Sequence, residues 1–66
     1  METFKVGDRV IFRPSQGEAL DATVTDVFGT AEAFGGSYGI NLDEPWAVIG
    51  GETETAAHGM ELTKNA

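Results

Sequence analysis

Phe4-Lys5-Val6-Gly7-Asp8-Arg9-Val10-Ile11-Phe12 is the stretch on which the fold is decided. It reads as a lead-in, a Gly7-Asp8 turn pair and a first strand. From residue 9 to 13 the chain alternates: Val10 and Phe12 share one face, while Arg9, Ile11 and Arg13 share the other. Pro14 ends the run because it has no N–H to give a ladder. Everything downstream reads as four further short strands returning to this one.

Residues 20–28 form the clearest of them. Leu20, Ala22 and Val24 face one way and Asp21, Thr23 and Thr25 the other. Two large apolar residues then stand side by side at Val27-Phe28. Strict alternation puts Phe28 on the face of Leu20, so a bend or bulge is expected there. Residues 37–43 alternate again, with Tyr38, Ile40 and Leu42 together, until Asp43-Glu44-Pro45 breaks the pattern. Trp46-Ala47-Val48-Ile49 is apolar, without a period, and ends in Gly50-Gly51. Residues 52–56 read as a half-exposed strand, Ala57-His58-Gly59 as a tight or 3₁₀ turn, and residues 60–63 as a last strand. Ala31-Glu32-Ala33-Phe34 has room for one helical turn, too short to stand unaided.

Five short strands with a turn signal between each point to an all-β barrel or sandwich; with so few residues, closure into a small five-stranded barrel is the economical way to remove exposed edges. The expected core is Val6, Val10, Phe12, Leu20, Ala22, Val24, Tyr38, Ile40, Leu42, Met60 and Leu62. The length, 66 residues, allows one domain, with an ordered core at about residues 4–63. So short a chain buries a modest fraction of its surface. It has no cysteine, so no disulfide or thiolate metal site adds stability, and a reducing cytoplasm suits it. Neither a signal peptide nor an apolar run of the roughly 20 residues a membrane span requires is seen.

The net charge is −7, and its distribution is uneven. The basic residues are Lys5, Arg9, Arg13 and Lys64. None lies between Pro14 and Thr63, an interval holding Glu18, Asp21, Asp26, Glu32, Asp43, Glu44, Glu52, Glu54 and Glu61. Such a surface repels a phosphate backbone. It serves solubility, or it offers an acidic face to a basic partner protein; composition leaves both open.

The run Lys5-Val6-Gly7-Asp8-Arg9-Val10 resembles the first strand of SH3-like barrels of the translation-protein and KOW kind. The closing Thr55-Ala56-Ala57-His58-Gly59-Met60-Glu61-Leu62 resembles their fourth strand, 3₁₀ turn and fifth strand. The segments Arg9-Val10-Ile11-Phe12-Arg13-Pro14 and Tyr38-Gly39-Ile40-Asn41-Leu42-Asp43 are similar to the SH3-like accessory subunit of photosystem I. Type II dihydrofolate reductases share the scheme, and small proteins opening this way look like products of bacteriophages and mobile elements. The resemblance spans residues 4–63 in outline. It implies a five-stranded SH3-like barrel whose first and last strands are neighbours and which carries a 3₁₀ turn before the last strand.

Chemistry is harder to find. The reductases carry Val-Gln-Ile-Tyr on the fourth strand, where this chain has Thr53-Glu54-Thr55-Ala56, so that activity does not carry over. His58 is the single histidine, with no serine or cysteine close by to act as nucleophile. Asp43-Glu44 and Glu52, Glu54 lack the spacing of a calcium loop and read as solvated charge. Gly35-Gly36 and Gly50-Gly51 are turn residues of positive φ rather than phosphate loops. Arg9 and Arg13 on one strand face, with Lys5 and Lys64 near, make a small basic spot that ion pairing with Glu2, Asp8 or Glu61 explains equally well.

Trp46, Val48 and Ile49 remain, rimmed by Asp43 and Glu44. They either fold back to plug one end of the barrel or form a surface for a partner or for self-association. The expectation is a non-enzymatic protein-interaction module or small accessory subunit in the cytoplasm, of a type encoded by phages against host proteins. No cofactor, metal, nucleic acid or membrane partner is expected. A KOW-like nucleic-acid module is the alternative, and an oligomeric type II reductase-like enzyme a further one, disfavoured by its missing motif.

Overall fold

The computed structural model describes residues 3–29 and 35–65. The helical turn expected at residues 31–34 lies outside them. The described chain is all-β. Its strands are β1 (Arg9–Phe12), β2 (Leu20–Gly29), β3 (Ser37–Trp46), β4 (Glu52–His58) and β5 (Leu62–Lys64). One 3₁₀ turn, Ala47–Ile49, joins β3 to β4, and a second, Gly59–Glu61, joins β4 to β5.

All pairings are antiparallel in the order β4-β3-β2-β1-β5, so β4 and β5 are the edges and the described ladder is open. The inward rows follow from the register. Val10 opposes Ala22, Ala22 opposes Leu42, Val24 opposes Ile40, Tyr38 opposes Ala57 and Phe12 opposes Leu62. The inward residues of all five strands fall into one buried cluster. No helix among the described residues covers that face, so the sheet curls round its own core.

Eight of the residues expected inside are buried: Val10, Phe12, Ala22, Val24, Tyr38, Ile40, Leu42 and Leu62; Leu20 is half-buried against them. Two expectations fail. Val6 is 64 % exposed. The Asp8 N–H donates to the Lys5 carbonyl at 3.0 Å, and Gly7 has a φ of 95°. This is the form of a type II turn, which needs positive φ at its third position and leaves the second, Val6, at its corner. Phe4 fills the space instead. Its ring meets Tyr38 edge-on at 5.4 Å, and its N–H donates to the Tyr38 hydroxyl at 3.3 Å.

Met60 is the second failure, 70 % exposed. The 3₁₀ turn falls two residues later than expected, at Gly59–Glu61, so Met60 sits on the turn and β5 begins at Leu62. The shift extends β4 to His58 and buries Ala57. Gly59 fixes the turn: its N–H donates to the Gly36 carbonyl at 3.0 Å, and its Cα packs so close to the Gly35 backbone that a side chain has no room.

The bulge expected near Val27-Phe28 is present, as two register shifts in β2, between Val24 and Asp26 and between Val27 and Gly29. The first reverses the parity of the strand. Val27 then opposes inward-facing Tyr38, and Phe28 falls on the outer face, 64 % exposed rather than in the core.

Candidate functional site

The segment singled out in the sequence lies where β3 ends. β3 runs through Asp43-Glu44-Pro45 to Trp46 instead of stopping at 43. Its pairing with β4 nevertheless lapses between Asn41 and Trp46, which oppose Glu54 and Glu52. Pro45, unable to donate to a ladder, sits in that lapse. Beyond it the Gly51 N–H donates to the Trp46 carbonyl at 2.9 Å and the Gly50 N–H to Ala47 at 3.1 Å. Gly50 and Gly51 supply the positive φ that reverses the chain, 80° and 86°.

Trp46 is half-buried. Its indole stands edge-on to Phe12 with ring centroids 5.4 Å apart, a favourable arrangement for two aromatic quadrupoles. The loop between β1 and β2 closes over it. A Cβ placed on Gly17, whose φ is 89°, would lie 3.4 Å from Trp46 Nε1 and 3.8 Å from Val48 Cγ2. The structure thus brings Trp46 and Val48 together over Gly17. Val48 stays 53 % exposed, and Ile49 is partly buried.

Asp43 and Glu44 belong to the adjoining surface. With Ala19, Leu20 and Asp21 they line a shallow cleft of about 200 Å³. Asp43 is engaged from another direction. Arg9 Nη1 donates to its Oδ1 at 2.8 Å and Nη2 to its Oδ2 at 2.6 Å, while Nη1 also donates to Thr23 Oγ1 at 2.7 Å. The guanidinium therefore crosses β2 to tie β1 to β3. Its hydrogen bonds hold the Asp43 carboxyl below the usual carboxylate range, and the same bonds raise Arg9. Both side chains are open to solvent, so the pair orients the strands more than it stabilises them.

The sequence offered Glu2, Asp8 or Glu61 as partners for the basic residues, but the acid that Arg9 holds is Asp43, 34 residues away. It also missed a second surface. On the outer face of the sheet Asp26, Phe28, Gly39, Glu54 and Ala56 line a groove of about 270 Å³, to which Thr25, Ile40 and Thr55 also contribute. The signal was the pair Val27-Phe28: two adjacent apolar residues cannot both turn inward unless a bulge intervenes. Around the last turn, Arg13, Ser15, His58, Met60 and Glu61 line another open depression, and the His58 N–H donates to Glu61 Oε1 at 2.9 Å.

Among the described residues no group of three or more His, Cys, Asp or Glu is placed to hold a metal ion. No helix among them is long and apolar enough to cross a membrane. No protein-family model, curated protein or solved structure matches this chain.

Proposed function

We propose that the chain is a non-enzymatic protein-interaction module on an SH3-like barrel, cytoplasmic, with its partner surface at Trp46, Val48 and Ile49 and a rim of Asp43 and Glu44. The observation that carries this reading is the placing of Val48: half-exposed beside an anchored tryptophan, near Gly17 of the loop between β1 and β2. An aromatic held by its own core, with Val48 exposed beside it and carboxylates around, has the makeup of an interface core and rim. The pairing of β5 with β1 and the 3₁₀ turn before β5 support the SH3-like assignment. The net charge of −7 favours a basic partner over a second copy or a nucleic acid.

Trp46 holds the core through Phe12, so its substitution tests folding as well as binding. The cleaner variant is Val48→Ser/Ile49→Ser. Sedimentation velocity and circular dichroism on wild type and variant, alone and with proteins retained from the host cell, give the test. A folded variant that loses a complex formed by the wild type supports the reading. Equal complexes with both, or tight salt-sensitive shifts of DNA or RNA by the wild type, overturn it.

A further inference from the structure

The outer face of the sheet is divided by charge. On β3, residues Gly39, Asn41 and Asp43 share that face. At the Asp43 end the carboxylate is matched by Arg9. At the Gly39 end the groove holds Asp26 from β2 and Glu54 from β4, and no lysine, arginine or histidine lines it. Asp26 Oδ2 accepts from Thr25 Oγ1 at 3.3 Å, a neutral donor. The described residues contain one ion pair, Arg9 with Asp43, so neither groove carboxylate has a basic partner among them.

The same groove holds the most exposed aromatic side chain of the described residues. Phe28 is 64 % exposed, and the tip of its ring lies over Gly39. Gly39 has no side chain, and a Cβ there would lie 3.3 Å from Phe28 Cζ and 3.1 Å from Asp26 Cβ. The glycine therefore lets the ring tip and the Asp26 stem settle on the sheet, leaving the rest of the ring to solvent. Ala56 opposes Gly39 on β4, and its small side chain keeps the floor low. The groove thus combines an aromatic wall, a flat floor and two carboxylates, beside the edge strand β4.

We propose that this groove receives an arginine or lysine side chain from a basic segment of a partner protein. A cation over the Phe28 ring meets the negative face of its quadrupole, and an arginine plane stacks there as well. Asp26 and Glu54 supply the counter-charge, and the aliphatic stem lies on Gly39 and Ala56. A second copy of the chain is a poor occupant, because each copy carries −7. The inference extends the interaction-module reading by naming a partner chemistry, on residues separate from 43–51.

The probe is a nonapeptide alternating arginine with serine, titrated at low salt and followed by amide chemical shifts. The control replaces each arginine by citrulline, which keeps the shape and removes the charge. The expected result is saturable shifts at Asp26, Phe28, Gly39 and Glu54, absent with citrulline. Phe28→Ser should weaken binding about 2- to 5-fold, the range of an exposed cation–π contact. Glu54→Gln should weaken it by a similar, salt-dependent factor of about 2- to 5-fold. Val48→Ser/Ile49→Ser should leave it unchanged, so failure of the 43–51 surface and failure of this one are separable. Equal binding of the citrulline peptide, shifts spread evenly over the acidic surface, unaltered affinity in Phe28→Ser with the fold intact, or concentration-dependent shifts at these residues without peptide would each overturn the proposal.

Discussion

Replacing Val24 by alanine is the sharpest test of the sheet register. Val24 is 1 % exposed and opposes Ile40 at the centre of the core. The change removes two methylene equivalents, at about 0.8 kcal/mol each. A cavity term adds to this, because the backbone there cannot collapse inward: the Val24 N–H donates to the Asp8 carbonyl at 2.9 Å, and its carbonyl accepts from the Gly7 N–H at 2.8 Å. The total is about 2–3 kcal/mol, against the about 3–10 kcal/mol that a domain of this size has altogether. Thr23, one residue earlier, is on the outer face, where its hydroxyl accepts from Arg9. Thr23→Ala should cost at most about 1 kcal/mol. Thermal unfolding followed by circular dichroism and by Trp46 fluorescence reads both. At about 4–8 °C per kcal/mol, Val24→Ala should lower the midpoint by about 10–20 °C and Thr23→Ala by less than half as much. Equal shifts would falsify the register, since a slip of one residue exchanges the two faces.

Two further outcomes follow from the geometry. Gly59→Ala should destabilise by about 1–3 kcal/mol in urea unfolding, since its Cβ would run into the Gly35 carbonyl, whereas Gly50→Ala, facing open space at a φ of 80°, should cost only the about 1–2 kcal/mol of a left-handed alanine; the reverse order would refute the close approach of the two chain segments. The Asp43 carboxyl is lowered by its hydrogen bonds to Arg9, so its contribution is present above the ordinary aspartate value near 3.9 and is lost as pH falls through the depressed one; the midpoint gap between wild type and Asp43→Asn should be small at pH 7, narrow below about pH 4 and shrink in salt, and a gap that widens in acid would contradict the pairing.

The strands were legible because alternation is a local property. Val10 and Phe12, then Leu20, Ala22 and Val24, then Tyr38, Ile40 and Leu42 each declare a face within a few residues. What alternation does not register is where a glycine turns the chain. Val6 and Met60 each adjoin a glycine whose backbone sets the turn, and both were displaced from the core by it. Ala57 was readable after all, since the inward parity of Thr53 and Thr55 continues to it. The site divides in the same way. Val48 beside Trp46 was visible as an apolar run, but Phe12 and Gly17, which hold Trp46, come from the other end of the chain. The Phe28 groove needs residues from three strands and a parity reversal, so no single stretch announces it.

The pairing of Arg9 with Asp43 bears on both proposed surfaces. Arg9 is the one basic side chain that reaches across β2, and it is committed to an acid at the edge of the 43–51 surface. Arg13 lines the depression at the last turn, and Lys64 opposes Val10 on β5. These cations belong to β1, its flank and β5, whereas the Phe28 groove is built from β2, β3 and β4. A surface that carried acids only for solubility would gain nothing from an uncovered ring sharing a groove with two of them, since an exposed aromatic works against solubility. The ring and the carboxylates make sense together when a cation with an apolar stem completes them. Salt then separates the roles: raising ionic strength should release a basic peptide from the groove and leave the fold in place, because the fold rests on the uncharged inward rows.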